Sequence, residues 1–395
     1  MTVTPDTQRA AVRALLDEIE RIATEIAGPN ADDVDQKARF PHEAIAALKE
    51  VGALSALVPT TYGGGGASVE DVAAACLALG RRCAAAGMVF AMHQIQVACL
   101  VRHGTGSAWF EDYLRELSVS QRLIASATSE VGTGGDMSRS VAAVVELDNG
   151  ACSFEKQAPT VSYGAHADDL LTTLRRSPDA DGGDQVVALT SRDQTQLEQS
   201  GTWDPFGMRG TCSPGFTIRA TFAGEQILPH PFSTVSAQSM VPLSHIFWSH
   251  LWLGIATDAF DRARAFVRAS SRQKPGEPVP AAIRLSHLLV ELSLMRAEVA
   301  QGLREFIDGD NSPNRERLST MGSGLRFNTL KIAASEQAPR ICQTAMSVCG
   351  IVGFKNDTPF SVGRHLRDAM SGPLMIANER IHQTNAALLL VAKDV

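Results

Sequence analysis

A glycine-containing segment after an apolar run is the first place where the sequence indicates chemistry. Within ATSEVGTGGD, Ser129 is followed by the run Gly-Thr-Gly-Gly, which includes Gly134. Glycines let backbone amides approach a ligand closely, and amides together with a hydroxyl can satisfy the carbonyl and nitrogen edge of a flat heterocycle. A tight surface turn capped by the Ser129 hydroxyl is the alternative interpretation. The spacing differs from the glycine fingerprint of dinucleotide-binding folds, so that class of site is not predicted.

The overall composition argues against several other kinds of site. Lys plus Arg (36) against Asp plus Glu (43) gives a formal charge of -7, without the basic surface that a phosphate backbone requires. The seven cysteines form no Cys-x-x-Cys pair, which argues against a zinc site and a disulfide framework. The N-terminal segment lacks the apolar region of a signal peptide, and the most apolar stretch is short. We therefore expect no metal, no nucleic acid, no membrane partner and a cytoplasmic location.

Three regions of different character must position the glycine segment. Residues 1–122 are Ala-rich with helical periodicity and are predicted to form a helical domain. Residues 123–232 contain short β-prone runs separated by Gly, Asp and Pro, which predicts a compact β domain. Residues 233–395 return to long helical stretches, which are typical of an antiparallel bundle. Because 395 residues exceed one ordinary core, the order α, β, α predicts an α+β protein of several domains.

Seven segments match a known family in the right order over nearly the whole length. They are FPHEAIAALKEVGALSALVPTTYGG, ATSEVGTGGD, VSYGAHAD, GMRGTCS, SRQKPGEP, SVCGIVGF and RHLRDA. With these segments the chain resembles the acyl-CoA dehydrogenase superfamily of flavin-dependent enzymes. The resemblance implies an N-terminal helical domain, a central β domain and a C-terminal four-helix bundle. It also implies a homotetramer that binds FAD between the β domain and the bundle, with a contact from a second subunit.

The resemblance assigns cofactor contacts to two segments of the β domain. ATSEVGTGGD resembles the family's flavin loop, so Gly134 is assigned to the cofactor. Ser129, with Thr128 beside it, replaces a Thr that donates to the pyrimidine edge of the flavin in that family. Ser162 stands where the family has a Thr close to the reactive flavin nitrogen, and Thr160 replaces a Trp that usually shields the ring. Because the hydroxyls are kept and the indole is lost, we expect a flavin that is more open on that face.

Further cofactor contacts are implied in the C-terminal region. Arg272 matches an Arg that reaches the FAD pyrophosphate of a neighbouring subunit, a role that suits a guanidinium. Gly350 and Gly353 match glycines where the backbone passes close to the nucleotide, and Ser347 replaces a Gln. Asn378 ends the loop that usually carries the catalytic Glu and is also assigned to the cofactor. For the hydroxyls and glycines taken singly, an ordinary turn or cap is the alternative.

The usual catalytic base is absent from both positions at which the family places it. The family removes an α-proton from a CoA thioester with a carboxylate, while a β-hydride passes to the flavin. Counted from the Arg-Asp pair, that position is Ile376, and the alternative position in the first long helix of the bundle is Ser244. His245, which titrates near neutrality, and Glu379, three residues beyond Ile376, are the displaced candidates. A helix-packing histidine and a charged surface residue are the respective alternatives.

The resemblance implies an FAD-dependent oxidoreductase that acts on the CH-CH group of an acyl-CoA or acyl-carrier thioester, here through a displaced base. Its electron acceptor would be an electron-transfer partner or oxygen. The missing Glu leaves two alternatives open. One is a catalytically silent subunit that pairs with an active homologue, and the other is a flavin monooxygenase on the same scaffold.

Overall fold

The N-terminal region is helical. A computed structural model of the chain describes residues 5–273, 275, 277, 279–311 and 315–392. The first helices are α1 (Pro5–Ile22), α2 (Gly28–Gln36), α3 (His42–Glu50), α4 (Val69–Arg82), α5 (Ala84–His103) and α6 (Ala108–Ser120). Helix α4 begins with a capping box, in which the Ser68 hydroxyl accepts from the Asp71 amide and the Asp71 carboxylate accepts from the Ser68 amide.

Helix α5 lies at the centre of this region. By length and composition alone it could cross a membrane, but 89% of its most apolar window is buried inside the protein. Its His93 has both ring nitrogens bonded, with Nε2 at 2.7 Å from the Leu54 carbonyl and Nδ1 accepting the Ile124 amide at 3.0 Å. These contacts identify α5 as a core helix that joins the helical region to the first strand.

The middle of the chain forms two sheets. The strands are β1 (Ile124–Ala127), β2 (Val145–Glu146), β3 (Ala151–Ala158), β4 (Asp169–Arg175), β5 (Gln185–Ser191), β6 (Thr195–Gln199) and β7 (Phe216–Ala223). One sheet has the order β1-β4-β5, with β1 parallel to β4, and the other has the antiparallel order β2-β3-β7-β6. Burial alternates along β3 and β7, as expected when one face of a sheet covers a core.

The C-terminal region is a helical bundle. Its helices are α7 (Phe232–Val235), α8 (Val241–Gln273), α9 (Ala281–Asp310), α10 (Met321–Cys349), α11 (Ile351–Phe354), α12 (Gly363–Ala369) and α13 (Asn378–Leu389). Helix α8 also packs closely on α4, because a Cβ at Gly80 would lie 2.5 Å from the Leu251 carbonyl oxygen. The order of helical region, β region and helical bundle confirms the α+β fold predicted from the sequence.

The segment RHLRDA connects all three regions. The Arg367 guanidinium pairs with Asp35 of α2, with Nη1 at 2.9 Å from Oδ1. The buried Asp368 accepts the backbone amide of Met208, in the β region, at 2.7 Å. Burial raises the pKa of Asp368 to about 6, although the nearby Arg364 acts in the opposite direction. Helix α12 therefore fixes the bundle against both other regions immediately before the loop at the predicted base position.

Candidate functional site

Two turns of the β region bring the predicted hydroxyl residues together. Ser129 follows β1, and its Oγ donates to the carbonyl oxygen of Thr160, which follows β3, at 2.7 Å. The Thr160 hydroxyl lies 3.5 Å from the same Oγ. The Ser213 hydroxyl donates to Ser162 Oγ at 3.0 Å. Thr128, Ser129 and Ser162 are only half-buried, so this edge of the β region presents polar groups that remain accessible.

The glycine loop meets the last helix of the bundle. Gly134 and Gly135 have φ values of +60° and +82°, a region that favours glycine. Arg380, in the first turn of α13, donates from Nη2 to the Gly134 carbonyl oxygen. A Cβ at Gly135 would lie 2.5 Å from Nη1 of Arg380, so a side chain at this position would displace the guanidinium. The loop therefore lies at the junction of the β region and the bundle.

Glu130 anchors the glycine loop from inside the β region. Its carboxylate accepts from the Ala142 amide at 2.5 Å and from the Ser140 hydroxyl at 2.6 Å, and it lies 3.5 Å from Lys156 Nζ. Burial opposes ionisation of Glu130, but Lys156 and these donors outweigh it and lower the pKa. Burial lowers the pKa of Lys156 to about 8. Sequence reasoning missed this pair, although a Lys at an inward position of β3 was a signal that a buried partner exists.

Neither predicted base position holds a group that can take a proton from a substrate at neutral pH. Ser244 is buried in α8, and Ile376 is half-buried in the loop before α13. Ile376 and Ala377 have φ values of +56° and +43°. A β-branched residue in this left-handed region is a strained outlier, so the surrounding contacts must hold the loop in place.

The two displaced base candidates occupy opposite environments. His245 is buried in the bundle, where its Nδ1 lies 3.0 Å from the Phe327 carbonyl oxygen. Burial and the nearby Lys331 charge lower the pKa of His245 to about 3, which leaves a neutral imidazole that is a weak base. Glu379 is exposed in the first turn of α13. The structure does not bring the two candidates into contact.

A buried lysine beneath the loop was missed by sequence reasoning. Lys331 of α10 is fully buried, and its Nζ donates to the Gly372 carbonyl at 3.0 Å and to Asn378 Oδ1 at 2.6 Å. Its Nζ also lies 5.9 Å from the centre of the Trp252 ring. Burial lowers the pKa of Lys331 to about 8, while Glu336 acts in the opposite direction. Asn378 therefore serves as an internal hydrogen-bond partner in this structure.

The other predicted contacts lie on α8, α10 and α11. Arg272 is exposed in the last turn of α8, and residues 274, 276 and 278 of the segment SRQKPGEP lie outside the described residues. Ser347 is exposed, and its hydroxyl donates to the Gln343 carbonyl of its own helix at 3.0 Å. Gly350 is exposed with a φ of +63°, and Gly353 is buried. Within the described part of the chain, none of these four residues is hydrogen-bonded to the glycine loop.

Two family models match most of the chain. The model for the acyl-CoA dehydrogenase N-terminal domain matches residues 9–119, and the model for the acyl-CoA dehydrogenase C-terminal domain matches residues 240–379. The chain belongs to the acyl-CoA dehydrogenase superfamily. Its matched regions contain the helical core and the bundle, including the loop with Ile376.

The relatives of this chain include proteins described as monooxygenases and proteins described as acyl-CoA dehydrogenases. The chain is 25% identical over 349 residues to the probable FMNH2-dependent monooxygenase SfnC of Pseudomonas putida, covering 83% of this chain and 84% of that protein. It is 24% identical over 351 residues to the probable acyl-CoA dehydrogenase YngJ of Bacillus subtilis (strain 168), covering 86% of this chain and 87% of that protein. The solved structure of FMN-bound TdsC from Paenibacillus sp. A11-2 shares the fold, with a TM-score of 0.81 and 20% identity. The match covers 95% of this chain and 97% of that chain.

The residues at the junction fit a flavin, the cofactor of this superfamily. Ser129 and Ser162 offer hydroxyls at one accessible edge, and the left-handed glycines keep side chains away from the adjacent backbone. Gly134 lies in the same loop, where the β region meets α13. These groups suit the heteroatom edge of an isoalloxazine ring. As a member of this superfamily, the chain is a flavoprotein of the oxidoreductase class.

Proposed function

We propose that this chain is a flavin-dependent monooxygenase, which uses reduced flavin and oxygen, built on the acyl-CoA dehydrogenase fold. The observation that carries the proposal is the absence of a carboxylate from both base positions, where Ser244 and Ile376 stand. A bound flavin would supply two electrons, and one oxygen atom of O2 would enter the substrate while the other leaves as water. In that reaction the protein has to hold the flavin edge with Ser129 and Ser162 and orient the substrate, without removing an α-proton.

Two further features support this proposal. Thr160, in place of the shielding Trp of the family, is exposed beside Ser129, which leaves room for a second reactant over the flavin. The similarity to SfnC and to TdsC is compatible with oxygen chemistry on this fold. The substrate has to be recognised mainly by the bundle, because the β region is occupied by the cofactor contacts.

A direct test compares oxidised and reduced flavoprotein. Anaerobic mixing of the oxidised protein with saturated acyl-CoAs of several chain lengths should leave the flavin absorbance unchanged. Mixing the reduced protein with oxygen and a substrate should consume O2 and place one oxygen atom in the product, measured by mass spectrometry with 18O2. Bleaching of the oxidised flavin by an acyl-CoA would contradict the proposal.

A second candidate is an acyl-CoA dehydrogenase with Glu379 as the displaced base. Glu379 is exposed in the helix turn directly after the loop that contains Ile376, so it remains accessible to a substrate. This candidate would remove the α-proton of a CoA or carrier-protein thioester and pass electrons to a protein partner or oxygen. If wild type bleaches with an acyl-CoA, Glu379→Gln should lower that rate by roughly 10² or more.

We also propose FAD as the cofactor and a cytoplasmic homotetramer as the assembly. Arg272 is accessible for a pyrophosphate of a neighbouring subunit, as the resemblance implies. Ile283, Val290 and Leu294 are 67%, 58% and 63% exposed on one side of α9, a spacing that gives an unpartnered apolar stripe. Mass spectrometry of the released cofactor distinguishes FAD from FMN, and light scattering measures the assembly. FMN, or a monomer with full flavin content, would contradict these two assignments.

A further inference from the structure

The two ends of the glycine loop are closed by a single side chain. Residues 130–142 leave β1 and return to the end of β4, where the Ala142 carbonyl accepts the Arg175 amide at 2.8 Å. The Glu130 carboxylate accepts from the Ala142 amide at 2.5 Å and from the Ser140 hydroxyl at 2.6 Å. Because residue 130 begins the loop and residue 142 ends it, this carboxylate fixes the distance between the two ends. Surface loops of this size with adjacent ends are frequently functional.

Lys156 lies beneath this closure and joins the two sheets. It belongs to β3 of one sheet, and its Nζ donates to the carbonyl oxygen of Thr173, in β4 of the other sheet, at 2.7 Å. The same Nζ donates to the Thr173 hydroxyl at 3.0 Å and lies 3.5 Å from the Glu130 carboxylate. The side chains of Lys156 and Glu130 are almost completely buried. The ammonium therefore connects the interior of the β region with the closure of the loop.

Among the described residues, Glu130 is the charged group that faces Lys156. The two Thr173 groups that accept from Lys156 are neutral. Other charged side chains on the loop, β3 and β4 lie at the surface or are paired elsewhere: Asp136, Arg139, Glu155, Asp169 and Arg175. Removing one charge of a buried pair leaves the other charge without compensation. The closure of the loop therefore depends on both charges.

Lys156 can change its charge in mildly alkaline solution. Burial lowers its pKa to about 8 from an ordinary value of 10.5, although Glu130 acts in the opposite direction. The pKa of Glu130 is lowered, so this carboxylate stays ionised over the same range. Loss of the Lys156 proton therefore leaves a buried anion at the closure of the loop, with no cation beside it.

The closure is continuous with the predicted flavin contacts. Ser129, directly before Glu130, donates to the Thr160 carbonyl at 2.7 Å. The amide of Val131, directly after Glu130, donates to the carbonyl of Gln157, the residue next to Lys156 in β3, at 2.9 Å. The backbone on both sides of Glu130 is thus fixed against the β region. A displacement of the Glu130 carboxylate would move the Ser129 hydroxyl and the start of the glycine loop together.

We propose that Lys156 is a positioning residue for the flavin, because its ammonium keeps the Glu130 carboxylate, and with it Ser129 and the glycine loop, in the arrangement that binds the cofactor. The inference rests on the proposed function only through the flavin, which both candidate functions require. Lys156 acts through Glu130 and not as a cofactor contact of its own. Flavin affinity is then high while Lys156 carries its proton, and it falls as the pH rises and the proton is lost.

Flavin dissociation constants over a range of pH test this role. The full chain, freed of flavin, is equilibrated by dialysis with FAD and separately with FMN between pH 6.5 and 9.5, and the bound flavin is measured. Because the pKa of Lys156 is about 8, the dissociation constant should rise about tenfold from pH 7 to pH 9 if only the charged form binds. A dissociation constant that stays the same from pH 7 to pH 9 overturns the inference.

Variants assign the pH dependence to the pair. Lys156→Met has no charge to lose, so it should bind flavin at least about tenfold more weakly at pH 7 and with the same constant at pH 9. Lys156→Arg stays charged over the whole range, so it should bind flavin at pH 7 and keep that affinity at pH 9. Lys37→Met is the matched control, because Lys37 is exposed and pairs with Asp33 in the helical region. The control should reproduce the wild-type constants at every pH.

The failure of this inference is distinguishable from the failure of the proposed function. If Lys156→Met or Lys156→Arg keeps the wild-type dependence on pH, the role of Lys156 is overturned and the proposed function stands. Circular dichroism shows whether Lys156→Met folds, and if it does not, the profiles of wild type and Lys156→Arg decide. Binding of neither FAD nor FMN at any pH overturns both. Flavin bleaching by an acyl-CoA, with the pH dependence as expected, overturns the monooxygenase alone.

Discussion

The Lys331 ammonium lies 2.6 Å from Asn378 Oδ1 in the interior of the bundle. The same ammonium donates to the Gly372 carbonyl at 3.0 Å, so one buried cation holds both ends of the loop that contains Ile376. Asn378 is held in turn by the Ser335 hydroxyl, which lies 3.1 Å from its Nδ2. The loop geometry at the predicted base position therefore depends on a side chain of α10 that is distant in sequence.

The first prediction concerns this pair. Asn378→Leu should lower the free energy of unfolding by roughly 1–3 kcal/mol, because it leaves a buried ammonium without its closest acceptor. Urea denaturation monitored by circular dichroism measures the change. Asn385→Leu is the control on the same helix, since it removes only a half-buried amide contact with Asn328. If the two variants lower the free energy of unfolding equally, the contact of Asn378 with Lys331 has no particular weight.

The second prediction concerns backbone strain in the same loop. Ala377→Gly should raise the free energy of unfolding by about 0.5–1 kcal/mol, because φ at this position is +43° and glycine adopts positive φ without a Cβ clash. The gain is limited by the greater flexibility of glycine in the unfolded chain. Ala386→Gly, in an exposed turn of α13, should lower stability by about 1 kcal/mol. If both variants change the free energy of unfolding in the same direction, the backbone at Ala377 is not strained.

The sequence does not show where the last helix begins, because the loop before it contains no obvious helix breaker after Pro373. A helical stretch from about 373 agrees with the apolar spacing, yet α13 begins at Asn378. Two consecutive residues with positive φ, Ile376 and Ala377, precede it, and neither residue type indicates that conformation. Tertiary contacts from Lys331 select the loop, so local propensity could not reveal it.

The candidate site was predictable only in its local parts. The glycine loop was found from its own residues, and the resemblance located the segment with Thr160 and Ser162 that the structure brings beside Ser129. By contrast, the contacts of Lys331 with residues 41 and 47 positions away cannot be read from spacing. Long-range polar pairing in a helical bundle leaves no periodic signal in the sequence.

The third prediction is a loss of stability in mild acid. Burial lowers the pKa values of His93, His250 and His365 to about 4 and that of His245 to about 3, from an ordinary value of 6.5. As the pH falls below 6.5, these histidines bind protons in the unfolded chain but not in the folded chain. Their contribution to the free energy of unfolding is therefore fully present above pH 6.5 and is lost as the pH falls toward 4. Each histidine can lower the free energy of unfolding by at most about 1.4 kcal/mol for each pH unit.

Urea midpoints at several pH values between 7.5 and 5 test this third prediction. Asp368, whose pKa is raised to about 6, binds a proton in the folded state over the same range and offsets part of the loss. His250→Leu should make the dependence on pH shallower, whereas the exposed His382→Ala should leave it unchanged. A midpoint that stays constant from pH 7 to 5 would show that these histidines titrate normally.

The last prediction restores a carboxylate to the loop. Ile376→Glu should create dehydrogenation of saturated acyl-CoAs if the loop still faces the substrate α-carbon, because a positioned general base contributes about 10² to 10⁴ in rate. The strained backbone at Ile376 accepts an unbranched side chain more readily than a β-branched one, so the variant should fold. Anaerobic flavin bleaching by acyl-CoAs measures the gain. Leu374→Glu, two residues away and exposed, places a carboxylate in the same loop and should not produce it. If both variants stay inactive while flavin remains bound, the substrate does not present its α-carbon to this loop.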